Sequence, residues 1–295
     1  MEKVNFFIIG ASKCATTTFH YLLKQHPQIY MSDIKETNYF AKKDNKEIDY
    51  NDYFKYKKNE KIIGEVSPIY SETHVVPYCP ERIYNYNPNA KILYIIREPI
   101  DRLKSVWKQN LSTGHWARKV YKENFNIDNI PKMSRDYKEA FFNYPSFIEA
   151  SKYWYQIQQY RKHFKDKQIK VILYEDFKES PKNILDDIAT FLEIDPFVLE
   201  QHNLHYNTGK DKKVVRKYFS LIFYNKFSSF LIKKISFSVK MKSYLKKIIF
   251  RGIEEEIVID KFTENKIKNV LSDDIEEIFN YINKYSKEKK QKYWS

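Results

Sequence analysis

A lysine and three threonines follow the first predicted strand at a spacing that suits anion binding. The apolar run Val4–Gly10 indicates a buried strand, Lys13 follows three residues later, and Thr16, Thr17 and Thr18 open a predicted helix. A helix N-terminus presents unpaired backbone N–H groups and a partial positive charge, both of which attract phosphate. The segment therefore predicts an anion-binding turn. The alternative is a plain strand–helix connection with an exposed lysine.

A second cation stands at the end of the clearest strand pattern in the sequence. Lys91–Ile96 is followed by Arg97, and Ser105 lies in the helix predicted after it. In phosphoryl-transfer enzymes with a phosphate-binding loop, a neighbouring strand typically ends in an aspartate that helps to hold Mg²⁺. An arginine there predicts an anion site that needs no metal, because its planar fork fits phosphate oxygens. The alternative is an Arg97 that pairs with Glu98 or another carboxylate.

The two cationic segments are expected at one edge of one sheet. Ligands of open parallel sheets bind beyond the carboxyl ends of the strands, so Lys13 and Arg97 should face the same crevice. Two separate phosphate pockets fit a nucleotide that is phosphorylated at two places. The loop departs from the G-x-x-x-x-G-K-[ST] pattern of nucleoside triphosphate enzymes, because no glycine precedes Lys13 directly.

Alternating strands and helices position these residues. Apolar runs predict strands at Val4–Gly10, Ile62–Val66, Lys91–Ile96 and Ile169–Tyr174. Helical spacing predicts helices at Thr16–Gln25, Pro99 to about Asn110, Phe147–Phe164, Pro181–Leu192 (with Ser180 as N-cap) and Ser272–Asn283. This order predicts an α/β fold, a three-layer sandwich with a central parallel sheet covered on both faces. We expect a single domain over residues 1–295, with 111–146 as an insertion near the acceptor site.

The composition favours anionic partners without choosing among them. Lys and Arg number 52 against 38 Asp and Glu, which gives a formal net charge of +14. Such an excess attracts nucleic acid, acidic glycans, anionic lipid or a phosphorylated cofactor. Residues 210–251 interleave Lys and Arg with Phe, Ile and Leu. A basic protein that binds nucleic acid or a membrane surface is therefore an alternative class.

Cysteines, histidines and apolar runs exclude several other classes. Cys14 and Cys79 support neither a disulfide framework nor a zinc cluster, and His202 and His205 have no third ligand of comparable claim nearby. We therefore predict no metal site. The sequence has no uninterrupted run of about eighteen apolar residues and no signal-peptide pattern. These features predict a cytoplasmic protein, with peripheral contact at the inner membrane surface left open.

Several segments together resemble the sulfotransferase superfamily, particularly its carbohydrate branch of heparan-sulfate-type enzymes and bacterial relatives. The resemblance is carried by FFIIGASKCATTTFHYLLKQHPQIYMSDIKETNYF, GEVSPIY, PERIYNYNPNAKILYIIREPIDRLKSVWKQN and IEEIFNYINKYSKEKKQKYWS. It runs from residue 4 to the end, with 111–146 and 220–260 unassigned. It implies a P-loop NTPase-like sulfotransferase fold. The implied reaction moves a sulfuryl group from 3′-phosphoadenosine 5′-phosphosulfate (PAPS) to a hydroxyl or amine, with a glycan as the expected acceptor and 3′-phosphoadenosine 5′-phosphate as the product.

The resemblance also implies which residues hold the nucleotide. Lys13 would contact the 5′-phosphosulfate and assist the leaving oxygen, with further loop contacts from Cys14, Ala15, Thr16, Thr17 and Thr18. Arg97 and Ser105 would hold the 3′-phosphate. A basic loop often covers the nucleotide in this family. That feature implies partial cover from 210–251 and contacts from Lys210, Lys212 and Lys213.

Glu36 is the expected catalytic base for the acceptor proton. It lies in DIKETNYF, after the first predicted helix, where related enzymes carry a glutamate. The alternative is a surface glutamate that pairs with Lys35. His20, His26 and His74 are secondary candidates, each with a structural role expected. Cys14 is expected to be a small loop residue and not a nucleophile, because direct transfer needs none.

The chain departs from the family pattern at four positions. Ser12 stands where proline is frequent, Ala15 where glycine is frequent, Asn38 where histidine is frequent, and Val66 where lysine is frequent. The last two leave the identity of the acceptor open. We expect PAPS and a glycan-type acceptor as partners, without nucleic acid. The remaining alternative is a P-loop nucleotide kinase or other phosphotransferase, which would use ATP and Mg²⁺.

Overall fold

A five-stranded parallel sheet forms the centre of the protein. The computed structural model describes residues 3–43, 49–113, 134, 136–144, 146–198, 213–215, 250–252, 258–282 and 294. The strands of the sheet are β1 (Phe6–Gly10), β2 (Ile29–Met31), β3 (Ile62–Val66), β4 (Lys91–Ile96) and β5 (Ile169–Leu173). They lie in the order β2-β3-β1-β4-β5, and each pairs in parallel with its neighbours. The parallel sheet predicted from the sequence is confirmed.

Helices fill most of the connections between these strands. The helices are α1 (Thr16–Leu23), α2 (Cys79–Tyr86), α3 (Pro99–Thr113), α4 (Tyr137–Asn143), α5 (Tyr153–Arg161), α6 (Tyr174–Glu179), α7 (Pro181–Leu192) and α8 (Lys261–Ile282). Two further short strands, β6 (Lys213–Val215) and β7 (Phe250–Gly252), pair antiparallel with each other. Among the described residues, none of the helices combines the length and the apolar character that crossing a membrane requires.

The central strands are apolar along their whole length because both faces of the sheet are covered. Every residue of β1 is buried, and so is every residue of β4 after Lys91. Parallel strands with two covered faces typically show such continuous apolar runs instead of alternation. The hydrophobic effect of burying these runs is what holds the strand ends, and the loops that leave them, in fixed places.

The chain leaves β1 in one direction across the sheet and leaves β4 in the other. From β1 it passes through α1 to β2 at one edge, and from β4 it passes through α3 towards β5 at the opposite edge. Because parallel crossovers are right-handed, α1 and α3 lie on opposite faces, which makes the three-layer sandwich. The gap between the carboxyl ends of β1 and β4 is the topological switch point, where ligands of such sheets bind.

Several predicted elements match the structure and others shift by a few residues. The strands β3 and β4 and the helix α7 have the predicted bounds, whereas β1 begins two residues later, at Phe6. Ser180 stands at the N-cap of α7, but its side chain makes no capping hydrogen bond. The closing helix begins at Lys261 instead of Ser272, because Asp260 caps it by accepting Thr263 N at 3.1 Å.

Part of the predicted insertion and most of the basic segment lie outside the described residues. Within 111–146, residues 137–143 form α4, although the sequence shows no clear period there. Lys210 and Lys212 lie outside the described residues. Lys213 opens β6, so its backbone is in a short strand and not in the predicted loop, while its side chain is not described.

A carboxylate from α8 caps α5. Asp274 accepts hydrogen bonds from the backbone N–H groups of Trp154 at 3.0 Å and Tyr155 at 2.8 Å. Burial raises the pKa of Asp274 to about 6, although these hydrogen bonds oppose the rise. The cap accounts for the start of α5 at Tyr153. The helix predicted from Phe147 is wrong over its first residues, because the partner that fixes the helix start is distant in sequence.

Replacing Asp274 with Ala should lower the free energy of unfolding by about 1 kcal/mol, the usual cost of a lost helix cap. Two backbone N–H groups would lose their acceptor in a partly buried place. Asp273→Ala is the matched control, because Asp273 is the exposed neighbour on the same helix. Denaturant unfolding of the two variants measures the difference. Equal losses would mean that the cap does not stabilise the fold.

Candidate active site

The loop that leaves β1 is held tightly against its neighbours. Ala11 N donates to Ile95 O of β4 at 2.6 Å, so the loop begins fastened to the adjacent strand. Gly10 has a φ of +151°, and a Cβ there would collide with Ser71 Oγ and lie 3.1 Å from Pro68 O. The backbone passes so close to the turn after β3 that only glycine fits. This close packing explains why the apolar strand ends at a glycine.

Two residues of the loop adopt left-handed backbone conformations. Lys13 has a φ of 71°, and Ala15 has a φ of 61° and a ψ of 18°. These turns reverse the chain so that α1 starts at Thr16, directly above the end of β1. Ala15 occupies the N-cap position and has no side-chain oxygen with which to cap the helix. Because no side chain at Ala15 caps the helix, the backbone N–H groups of this turn are left for a phosphate group to bind.

The lysine of the loop extends towards α3. Lys13 Nζ lies 3.5 Å from Gln109 Oε1, with which it makes a hydrogen bond. Gln109 is four residues beyond Ser105, so both residues lie on the same face of α3. The ammonium of Lys13 is therefore placed near the helix that carries Ser105. The first predicted anchor thus contacts the helix that follows the second one.

The remaining loop residues differ in what they present to the crevice. Cys14 is fully buried, and burial raises the pKa of its thiol to about 12, so the thiolate is not formed near pH 7. Its backbone N–H already donates to Ala11 O at 3.2 Å. The thiol of Cys14 is directed to Ser12 O at 3.8 Å, so a contact between Cys14 and the nucleotide stays a prediction. Thr16 and Thr18 are buried and Thr17 is partly exposed.

Arg97 lies directly after β4 and is bound on only part of its guanidinium. Its Nη2 forms an ion pair with Asp101 Oδ2 at 2.9 Å, and the guanidinium lies over the ring of Tyr174 at 5.1 Å. Its Nε is buried and has no hydrogen-bond partner among the described residues. A buried donor without an acceptor is costly, so Arg97 keeps a guanidinium nitrogen that no described residue satisfies.

Arg97 pairs with another carboxylate, as the alternative from the sequence allowed, but that carboxylate is Asp101 and not Glu98. Glu98 accepts backbone hydrogen bonds from Ile100 at 3.0 Å and Asp101 at 2.6 Å, and so caps the start of α3. Burial raises the pKa of Glu98, and these backbone hydrogen bonds oppose the rise. The carboxylate that pairs with Arg97 is instead Asp101, four residues further along the chain. Ser105 is partly exposed on the same helix.

Glu36 is fastened to the carboxyl end of β3. Its backbone N–H donates to Val66 O at 2.9 Å, and Asn38 N donates to Ser67 Oγ at 3.1 Å. The Glu36 side chain is 45% exposed and forms an ion pair with Lys35. Both readings of the sequence are therefore present at once. Glu36 is paired with Lys35 as the alternative predicted, and it also lies at the edge of the sheet from which the loop after β1 leaves.

Three predicted site residues consequently lie at the carboxyl ends of adjacent strands. Glu36 is attached to the end of β3, Lys13 follows the end of β1, and Arg97 follows the end of β4. These strands are consecutive neighbours in the sheet. Neighbouring strands lie about 4.8 Å apart, so the three positions span a distance of the order of one nucleotide along a single edge.

A buried carboxylate that the sequence analysis did not single out secures the segment next to Glu36. Glu65 of β3 is fully buried and accepts hydrogen bonds from the hydroxyls of Thr37, Tyr50, Ser67 and Tyr70. Burial raises the pKa of Glu65, and these four hydrogen bonds oppose the rise. A glutamate within an otherwise apolar strand, with Ser-Pro following, is the only sequence signal that could have indicated it.

A buried arginine was also missed. Arg102 of α3 is completely buried and donates to Ser146 O, Phe147 O and Ser151 Oγ, with the first and last at 3.0 Å. It joins α3 to the segment before α5. In the sequence it is one of several cations after β4, and only the structure shows that it points into the core.

The three histidines named as secondary bases have structural surroundings. His26 accepts a backbone N–H at Nδ1 at 3.1 Å and bonds Asp195 O through Nε2 at 3.0 Å. His20 is buried in α1, and burial lowers its pKa to about 4, so its ring is neutral near pH 7. His74 Nδ1 lies 3.3 Å from the side-chain amide of Gln156. Among the described residues, no cluster of three His, Cys, Asp or Glu side chains could hold a metal ion.

Comparison with known proteins gives one consistent result. A family model described as a sulfotransferase domain matches residues 3–290. Membrane-associated sulfotransferase kil1 of Dictyostelium discoideum is 24% identical, and the match covers 72% of this chain and 59% of that protein. Heparan sulfate glucosamine 3-O-sulfotransferase 5 of Homo sapiens is 29% identical over 222 residues, which cover 73% of this chain and 60% of that protein. The chain thus spans about three fifths of the length of these curated relatives.

A solved structure supports the fold. The crystal structure of a sulfotransferase from Alicyclobacillus acidocaldarius superposes with a TM-score of 0.52 at 21% identity, covering 92% of this chain and 97% of that one. The likeness shows that this chain shares its fold with a known sulfotransferase.

Replacing Ala15 with Gly should raise the free energy of unfolding by about 1 kcal/mol, because alanine in a left-handed conformation is strained and glycine is not. Ala189→Gly is the matched control. Ala189 is buried in the right-handed helix α7, so glycine there should lower stability by about 1 kcal/mol. Thermal or denaturant unfolding measures both changes. A loss of stability in Ala15→Gly would contradict the strained geometry of the loop.

Proposed function

The chain belongs to the sulfotransferase domain family, and on that premise we propose that it transfers a sulfuryl group from PAPS to a hydroxyl or amine of a glycan acceptor. The observation that carries this proposal is the order of Glu36, Lys13 and Arg97 along three adjacent strand ends. A base, a cation at the transferred group and a cation at a distal phosphate are the groups that this reaction requires, and they occur here in that order.

The nucleotide is proposed to lie across the ends of β1 and β4. The loop after β1 supplies Lys13, the backbone N–H groups of its turn and the threonine hydroxyls for the 5′-phosphosulfate. Arg97 supplies its unpartnered Nε, and Ser105 its hydroxyl, for the 3′-phosphate. Lys210, Lys212 and Lys213 remain predicted contacts of the nucleotide.

The chemistry assigned to the residues is a direct displacement at sulfur. Glu36 accepts the proton of the acceptor hydroxyl or amine as the acceptor atom bonds to sulfur. The bond between sulfur and the bridging phosphate oxygen breaks, and that oxygen leaves with the electron pair as part of 3′-phosphoadenosine 5′-phosphate. Lys13 neutralises the charge that develops on the leaving oxygen. Lys35 forms an ion pair with Glu36 and would be displaced from it when the acceptor group binds.

A glycan is the acceptor class that the comparisons favour. One relative is named for its action on heparan sulfate glucosamine, and it aligns over 73% of this chain. The basic character of the chain, with a formal net charge of +14, suits an acidic polysaccharide. Glu36 is partly exposed, so its carboxylate is accessible to a large acceptor that approaches from solvent.

Two alternatives from the sequence receive less support. A nucleotide kinase would place a metal-binding carboxylate after the strand next to the phosphate loop, and this chain has Arg97 there. Binding of nucleic acid or of a membrane surface through 210–251 would be compatible with the enzyme. We retain peripheral contact with an anionic membrane as part of the proposal, because one relative is named as membrane-associated.

Arg97→Ala should weaken binding of 3′-phosphoadenosine 5′-phosphate by roughly 10- to 100-fold, because a charge-assisted hydrogen bond to the 3′-phosphate is lost. Arg161→Ala is the matched control: Arg161 is also paired with an aspartate and stacked on an aromatic ring, but lies on α5. Calorimetric titration with the bisphosphate and with ATP, with and without EDTA, measures the effect. We expect metal-independent preference for the bisphosphate. Equal affinity for both nucleotides would reject the assignment.

Glu36→Gln should lower turnover by roughly 100- to 10,000-fold while nucleotide affinity is unchanged, because the amide cannot accept the acceptor proton. Glu149→Gln is the matched control, since Glu149 is another partly exposed glutamate paired with a lysine. Sulfuryl transfer from PAPS to a heparan-type oligosaccharide measures turnover. Retained turnover in Glu36→Gln would remove Glu36 as the base.

A further inference from the structure

The peptide that follows β4 is held by two buried side chains from other parts of the chain. Tyr153 OH donates to the carbonyl oxygen of Arg97 at 2.7 Å. On the other side, the backbone N–H of Glu98 donates to Glu175 Oε1 at 3.0 Å. The ladder between β4 and β5 ends at Ile96, so the carbonyl of Arg97 lies beyond the last strand pair. Two side chains take the place of a neighbouring strand there.

Packing against β4 fixes the ring of Tyr153. Tyr153 is completely buried, and its ring packs against that of Tyr94 in β4 with centroids 6.0 Å apart. The hydroxyl of a ring that is held in this way keeps a fixed position beneath the carbonyl of Arg97.

A tryptophan near the end of the chain supports both side chains that hold the Arg97–Glu98 peptide. We call this pair, Tyr153 and Glu175, the clamp. The Trp294 ring packs against Tyr153 with centroids 5.8 Å apart, and against Phe279 of α8 at 4.8 Å. Its Nε1 donates to Glu175 Oε2 at 3.5 Å. Trp294 and Glu175 are both buried. The contacts join α5, α6 and α8 to two consecutive residues beside the site.

We propose that Tyr153 is a positioning residue for recognition of the 3′-phosphate, with Glu175 as its partner on the opposite side of the Arg97–Glu98 peptide. The proposal rests on the proposed function, in which Arg97 grips that phosphate. The carbonyl and the following N–H set the direction in which the Arg97 side chain leaves the backbone. A small rotation of this peptide would move the guanidinium away from the phosphate, because the displacement grows along a long side chain.

Loss of the clamp should affect the 3′-phosphate more than the rest of the nucleotide. The phosphate loop has supports of its own, since Ala11 N is bonded to β4 and Cys14 N is bonded to Ala11 O. The Arg97 carbonyl instead depends on the hydrogen bond that the Tyr153 hydroxyl donates to it. The selectivity between nucleotides with and without a 3′-phosphate therefore reports on the clamp.

The test compares two tyrosines of the same helix. Tyr160 is also completely buried in α5, and its hydroxyl donates to Tyr70 O at 2.9 Å. Tyr153→Phe and Tyr160→Phe each remove one hydroxyl and one hydrogen bond to a backbone carbonyl. Calorimetric titration with 3′-phosphoadenosine 5′-phosphate and with adenosine 5′-phosphate gives the ratio of dissociation constants for each protein. We expect Tyr153→Phe to lower this selectivity about tenfold, and Tyr160→Phe to leave it unchanged.

A second pair of variants tests the other side of the clamp and keeps the proposal open to refutation if Tyr153→Phe does not fold. Glu175→Ala removes the acceptor for Glu98 N and should lower the same selectivity. Glu175→Gln retains a carbonyl oxygen that can accept from Glu98 N. This variant should therefore keep most of the selectivity for the nucleotide with a 3′-phosphate. Failure of the glutamine to restore selectivity would overturn the role of that hydrogen bond.

The outcomes separate this inference from the proposed function. A wild-type protein that binds both nucleotides equally would reject recognition of the 3′-phosphate, and with it the proposed function. A selective wild type with an equally selective Tyr153→Phe would overturn only the clamp. The clamp would also be overturned if Tyr153→Phe weakened both nucleotides by the same factor, or if Tyr160→Phe lowered selectivity as much.

Discussion

Parallel pairing between β3, β1 and β4 is the constraint on which the site depends. Each strand is buried on both faces, so its carboxyl end cannot move without disturbing the core. The loops that leave these ends are fastened sideways to the next strand, by Ala11 N to Ile95 O and by Ser67 N to Ile8 O. The spacing of the candidate site residues is therefore set by the sheet. Side-chain flexibility changes only the positions of the side-chain ends, by a few ångströms.

Much of this arrangement is predictable from the sequence because it depends on local patterns. Continuous apolar runs predict the bounds of β3 and β4, and the rule that parallel sheets bind ligands at their carboxyl edge brings Lys13 and Arg97 together. The same reasoning could not find the start of α5, since its cap is Asp274, more than a hundred residues away in sequence. It also missed β2, which has only three residues and too short a run to show a period.

The site residues show the same difference between what local sequence patterns predict and what distant contacts determine. The sequence alone identifies Lys13 and Arg97 and their order along the chain, whereas the contacts of each side chain depend on tertiary packing. Cys14 shows the difference, because a helix N-terminus favours a thiolate while complete burial raises the thiol pKa to about 12. Burial is the larger effect here. Glu65, Arg102 and Tyr153 were missed for a related reason, since a buried polar residue is recognised by distant partners that no spacing reveals.

The pairing of Arg97 with Asp101 has a consequence for how a ligand would leave the pocket. An arriving phosphate meets a guanidinium that already has a counterion 2.9 Å away, so binding exchanges one anion for another on part of the fork. The net gain in affinity is the difference between two similar attractions, and it is smaller than the gain from neutralising a bare arginine. If Arg97 holds the 3′-phosphate as proposed, Asp101 can pair with the guanidinium again as the nucleotide dissociates. A pre-paired arginine would then lower the affinity for the product and speed its release, and fast product release favours repeated turnover.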